Sequence, residues 1–134
     1  MQTTARQIEP TATSFWDEWA RLRHHILAAL EHAGGTHTEH DILDLLRGDQ
    51  AQFWPAENSA MITEIVGYPQ GSHCRIWLAG GEFGELRALE RDRIIPWARQ
   101  QGCRRIELVG RKGWTRRLKD YDYNEVAVAM AKEI

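Results

Sequence analysis

The side chains with chemistry to offer in this 134-residue chain are six histidines, two cysteines and a basic group in the C-terminal half. His37-Thr38-Glu39-His40-Asp41 sets two imidazoles and two carboxylates within five positions. The run is not the His-Glu-x-x-His zinc arrangement, and no third ligand stands at a defined spacing. At the start of a helix, Glu39 and Asp41 do ordinary work against the backbone dipole, so no metal is expected. His24 and His25 fall on the flank of a first helix and His73 at the start of a strand; spacing alone selects no general base among them. Cys74 and Cys103 occupy strand-like positions, as buried small hydrophobes in a reducing compartment would. Whether the two thiols touch stays open.

Charge is unevenly placed. Residues 1–86 hold 5 Lys/Arg against 12 Asp/Glu, and residues 87–134 hold 12 against 7, within a net charge of −2. Arg104, Arg105, Arg111, Lys112, Arg116, Arg117 and Lys119 surround Trp114. If these form one patch, Arg111, Lys112, Arg116, Arg117 and Lys119 are the candidate docking residues for an acidic partner protein, with nucleic acid as the alternative. The competing reading is a solvated helix with Trp114 packed beneath it. No apolar run reaches membrane-spanning length, so no membrane partner is expected.

Positioning these groups falls to a single α/β (α+β) domain over residues 14–134, after a loose leader over 1–13. Ser14 is placed to cap a first helix, with Asp17 completing a capping box. Phe15, Trp19, Leu22, Ile26 and Leu30 recur at helical spacing until Gly34-Gly35. Thr36 or Thr38 caps a second helix ending at Gly48. Gln52-Phe53-Trp54, closed by Pro55, suits an edge strand. Strands over 60–66 and 73–79 follow, joined by a five-residue type of turn at 67–71. A helix over 83–101 comes next, with Pro96 expected to kink it near Asp92 or restart it at Trp97. Gly102 caps it. The strand over 103–109 then carries Ile106 and Leu108 on one face and Cys103, Arg105, Glu107 and Val109 on the other. Short turns on both sides of the helix make its flanking strands parallel neighbours. A short helix over 114–121 and a last strand over 125–131 complete the order. Trp16, Trp19, Trp54, Trp77 and Trp97 sit at core-like spacings, Trp97 between helix and sheet.

Three runs carry a resemblance: Ile76-Trp77-Leu78-Ala79-Gly80-Gly81; Pro96 through Gly102 to Leu108; and Gly110-Arg111-Lys112-Gly113-Trp114. They resemble the GNAT N-acetyltransferase superfamily and, more narrowly, the small GNAT-like proteins of tailed phages, some of them internal virion proteins. The resemblance implies a mixed sheet whose strands splay before and after the crossover helix, with acetyl-CoA in the gap. It also implies a pyrophosphate loop of Arg/Gln-x-x-Gly-x-Gly/Ala type. Gly81, Phe83 and Gly84 are the cofactor contacts if acetyl-CoA binds. This sequence puts Glu82 at the basic position of that loop, Glu85 at its first glycine and Arg87 at its last small residue. At the tyrosine that serves as general acid in the superfamily stands Leu118. The expected function is therefore a degenerate, non-catalytic GNAT-fold component of a phage particle or its assembly, binding phage structural proteins or itself. Its place would be the host cytoplasm or the virion, and no cofactor is expected. An acetyl-CoA-dependent N-acetyltransferase with an atypical loop is the alternative, and a nucleic-acid-binding module a further one.

Overall fold

The computed structural model describes residues 13–110 and 113–134. The leader therefore falls, save for Thr13, outside the described residues, as do Arg111 and Lys112. Helix α1 (Thr13–Leu30) and helix α2 (Glu39–Arg47) precede strand β1 (Gln52–Pro55) and the hairpin of β2 (Ala60–Tyr68) and β3 (Gly71–Gly80). Then come α3 (Phe83–Leu89), α4 (Ile95–Gln100), β4 (Cys103–Leu108) and α5 (Gly113–Arg117). The sheet order is β1-β2-β3-β4, antiparallel except for the parallel β3–β4 pair.

Helices cover both faces of the sheet. Phe15, Trp19, Leu22 and Ile26 of α1, with Ile42 and Leu46 of α2, bury against Phe53, Ala60, Ile62 and Leu78. On the opposite face Leu86, Leu89, Ile94, Trp97 and Ala98 bury against Trp54, Met61, Cys74 and Ile76. Cys74, Ile76 and Leu78 share parity yet serve different faces. The register steps from Ile62–Leu78 to Thr63–Ile76, leaving Trp77 as an extra residue that turns the strand over. Under the second core, the Trp54 indole N–H donates to Thr63 Oγ1 at 2.8 Å, and Thr63 Oγ1 donates to Gln52 Oε1 at 2.8 Å. Polar atoms buried at the sheet edge are thus paired.

Several expectations are met. Thr38 caps α2 in a capping box with Asp41. Pro96 sits in the first turn of α4, and the turn before it, Glu90–Ile94, is wound as a π-helix. Proline offers no N–H to its helix and crowds the carbonyl four residues back, so the ladder slips. The Ile95 N–H accordingly bonds to Glu90 O, five residues back. Gly102 adopts φ +82 at the helix end.

Five expectations are corrected. Ser14 is no cap but lies inside α1, which already includes Thr13. Tyr68 pairs with Gly71, so the hairpin turns on Pro69-Gln70 alone, a two-residue loop tightened by Gly71 at φ +130. Cys103 packs on the same side as Ile106 and Leu108. The reason is an extra residue, Arg104, between the Ser72–Cys103 and His73–Arg105 pairs. Trp16 is 40% exposed and lies beneath the Arg47 guanidinium at 5.7 Å rather than in the core. Residues 125–131 pair with no strand and lie exposed.

Candidate active site

The sheet opens where β4 stops. The last β3–β4 pair is Ile76–Leu108, followed by a 3.4 Å bond from the Val109 N–H to Ile76 O. Beyond it β3 continues to Gly80, paired on its β2 side through Met61–Ala79 and Ala60–Gly80. An open cleft of about 160 Å³ fills the space left between the strands, walled by Ala33, Trp77, Ala79, Leu108, Gly110 and Trp114. A tighter void of about 30 Å³ lies nearby beneath Phe83, Leu86, Leu118 and Tyr123, and shares Ile76, Ala79, Leu108 and Trp114 with it. The inner void is lined mainly by apolar side chains together with Arg87 and Glu90, whereas the open cleft is of mixed character, with His32 among its walls.

At the mouth, the turn from β3 into α3 is built on two close approaches. A Cβ on Gly81, at φ +123, would lie 2.4 Å from Ser59 Oγ and 2.5 Å from the Asn58 carbonyl oxygen. A Cβ on Gly80 would lie 2.6 Å from the His25 carbonyl oxygen of α1. The wholly buried Ser59 ties the corner together: its Oγ accepts from the Glu82 N–H at 2.8 Å and donates to Glu85 Oε1 at 2.7 Å. Glu85 also accepts from the Asn58 N–H at 2.9 Å. The bond from Ser59, then that from Asn58, hold its carboxyl below the usual range. The Glu85 carboxylate is thus engaged with the β1–β2 turn.

Phe83, the first residue of α3, is capped by the end of the chain. Trp114 stacks near it at 6.2 Å, Tyr121 lies at 5.9 Å, and the Arg117 guanidinium sits 4.0 Å over its ring. Arg87 lies 3.5 Å over Tyr121 and 3.4 Å from Glu90. Gly81, Phe83 and Gly84 are therefore brought to one corner, with Gly84 facing open space. Arg117 joins that corner, while Arg116 and Lys119 are exposed. Arg104 lies apart from that corner: β4 runs away from it toward α5, and it donates to Gln70 O at 2.7 Å at the hairpin end, while Arg111 and Lys112 lie outside the described residues. Six strand residues separate the two ends by roughly 20 Å.

Leu118 is buried beneath Trp114, as an i, i+4 pair should be. The phenol lining the inner void is Tyr123, whose O–H donates to Glu90. Burial first, then the bond to Glu90 and its charge, push the Tyr123 hydroxyl well above its ordinary range. Sequence reasoning missed this Tyr123–Glu90 pair. A signal was available, since Glu90 follows Leu86 and precedes Ile94 on one apolar row.

Several other titratable groups are engaged in structural contacts. Glu39 accepts from the Trp19 indole N–H at 2.9 Å and from Arg23, and Asp41 serves the cap. His73 Nδ1 lies 2.6 Å from Glu107 Oε1, and Arg75 donates to Glu107 Oε2 at 3.0 Å. The Tyr68 hydroxyl donates to the same carboxylate at 3.1 Å, so that one glutamate binds β2, β3 and β4. Cys74 and Cys103 are free thiols in the second core; burial pushes the Cys74 thiol up to about 12. Among the described residues no three His, Cys, Asp or Glu converge as metal ligands, and no helix is long and apolar enough to cross a membrane.

The chain as a whole superposes on several solved structures. An aminoglycoside acetyltransferase from an uncultured soil metagenomic sample, in complex with trehalose, superposes with a TM-score of 0.61 at 10% identity, over 96% of this chain and 94% of that one. A Bacillus halodurans protein solved as a tetramutant gives 0.59 at 13%, over 96% and 98%. A possible acetyltransferase from Clostridium difficile 630 gives 0.58 at 9%, over 96% and 95%. The fold is that of the GNAT-type acetyltransferases. No protein-family model and no curated protein matches the chain.

Proposed function

We propose that this GNAT-fold chain is a non-catalytic interaction module. The observation that carries the reading is the proton inventory of the cleft. Acyl transfer from a thioester releases a thiolate, which a nearby acid of comparable pKa must protonate. Leucine at 118 has no proton to give. Tyr123, the phenol that lines the inner void, is bonded to Glu90 and pushed up, which weakens it as an acid. Arg116, Arg117 and Lys119, beside Trp114, then make a basic edge for an acidic protein partner. In the reading the sequence resemblance implies, that partner is a structural protein of a tailed phage, and the chain acts in the host cytoplasm or the particle.

The alternative, an acetyl-CoA-dependent N-acetyltransferase, is favoured by one observation. Glu85, its carboxyl held below the usual range, is fixed by Ser59 and the Asn58 N–H at the β1–β2 turn rather than free to swing across the start of α3. Calorimetric titration with acetyl-CoA decides between the two. The module reading expects no saturable heat below millimolar concentration. Micromolar binding accompanied by transfer to an amine overturns it. The basic edge is checked with Arg116, Arg117 and Lys119 all changed to glutamine: an unchanged melting temperature with lost capture of the partner supports docking there. Unchanged capture removes this edge from the reading.

A further inference from the structure

We infer that residues 113–123 form a strap over the inner void, latched by the Tyr123–Glu90 bond, and that lifting it admits an apolar ligand with one neutral hydrogen-bond donor for Glu90. The strap is attached through side chains. Its backbone bonds to itself, from the Leu118 N–H to Trp114 O at 2.9 Å and from the Tyr121 N–H to Leu118 O at 3.0 Å. Among the described residues it joins no strand of the sheet. Leu118 and Tyr123 close the void from this side. Arg117 over Phe83 and Arg87 over Tyr121 add two ring contacts at the rim, each a modest attachment. The strap starts at Gly113, whose surroundings are open, and Asp122 turns it at φ 68 just before the latch.

With the strap down, the enclosed space of about 30 Å³ has room for roughly two water molecules at most. It shares Ile76, Ala79, Leu108 and Trp114 with the open cleft of about 160 Å³. Withdrawing Leu118 and Tyr123 therefore joins the two spaces into one. The strap and the space it closes form a two-state element, and a ligand that fits only the joined space shifts the population toward the lifted state.

Glu90 determines what that ligand must carry. It opens the π-helical turn, is 7% exposed and stands in the wall of the void. Its carboxylate accepts from the Tyr123 hydroxyl and from Arg87 Nη1 at 3.4 Å. Lifting the strap takes the hydroxyl away and leaves a buried oxygen short of a donor, which is costly. A plain hydrocarbon offers that oxygen nothing. An ammonium would meet the Arg87 guanidinium as a like charge. A neutral hydroxyl or amide N–H replaces the phenol in kind. The neighbouring Met61, Ile76, Leu86 and Leu108 suit an alkyl chain behind that donor.

The test follows amide hydrogen exchange of the full chain by mass spectrometry, peptide by peptide, and needs no acetyl-CoA. Tyr123→Phe keeps the ring and removes the latch, so exchange over residues 113–123 should quicken roughly tenfold or more. Exchange in β1, β2 and β3 should stay as in the parent. Glu90→Gln weakens the same latch, so the double variant should exchange no faster than the faster single one. The ligand is probed with n-hexanol against methyl n-pentyl ether, which matches its size but has no donor. Hexanol at millimolar concentration should quicken exchange over 113–123 to a plateau, and the ether should not. Unchanged exchange in Tyr123→Phe, a rise spread through the sheet, or additive effects of the two substitutions overturns the strap. Equal effects of the alcohol and the ether, or none from either, overturns the ligand class.

Discussion

Replacing Trp97 with alanine tests whether the crossover helix is held as described. Trp97 is 8% exposed, and its ring meets the wholly buried Trp54 edge to face at a centroid distance of 5.4 Å. It is the first large side chain after Pro96, on the turn that restarts the helix behind the π segment. Truncation removes the transfer energy of an indole and leaves a hole between α4 and the sheet. The hole cannot close readily, because Trp54 is fixed by its bond to Thr63. Such losses run to about 3–5 kcal/mol. With an unfolding entropy near 2.1 cal/mol/K per residue, 134 residues give about 0.28 kcal/mol/K, so the melting temperature should fall by about 11–18 °C. Urea unfolding of parent and variant, followed by tryptophan fluorescence and circular dichroism, supplies the free energy if the two probes coincide. Trp16→Ala is the control: half in solvent beneath Arg47, it should cost under about 1.5 kcal/mol. A Trp97→Ala loss below about 1 kcal/mol, or one no larger than that of Trp16→Ala, would refute the packing argument.

Two further outcomes follow from the turn at β3 and from the glutamate clasp. Gly81→Ala forces a Cβ into Ser59 at a left-handed backbone angle and should cost about 2–4 kcal/mol. Gly84→Ala, a few residues on but facing open space, should be neutral or gain up to about 1 kcal/mol in a thermal scan; equal effects would place the strain wrongly. Burial works to raise the Glu107 carboxyl, but bonds from His73, Arg75 and Tyr68 outweigh it and hold the group below its ordinary value. A depressed folded-state value contributes stability above the unfolded pKa, and that contribution is lost as pH falls through the folded one. Glu107→Gln should therefore flatten the fall in stability between about pH 5 and pH 3. Parallel acid titrations for the two proteins would show that the clasp is not electrostatic.

Much of the scaffold could be read without coordinates because it is locally encoded. The capping box at Thr38, the apolar rows of α1 and α2, Gly102 at the helix end and Pro96 in the crossover all act within a turn or two of chain. Backbone hydrogen bonding and side-chain spacing settle them before any distant partner arrives. The parallel pairing of β3 with β4 was legible for a similar reason, since a helix of that length between two short turns leaves few alternatives. What the sequence hid depends on partners far along the chain. The extra residues at Trp77 and Arg104 decide which face Leu78 and Cys103 serve, and they exist only in relation to a neighbouring strand. Glu85 looked like a charge aimed at the helix start until Ser59 and Asn58, more than twenty positions earlier, were seen to hold it. The Tyr123–Glu90 pair likewise joins residues 33 apart. Residues 125–131 show the division most plainly: alternation makes the segment able to be a strand, but a strand needs an edge. Which edge it meets is a property of the folded surface and not of the seven residues themselves.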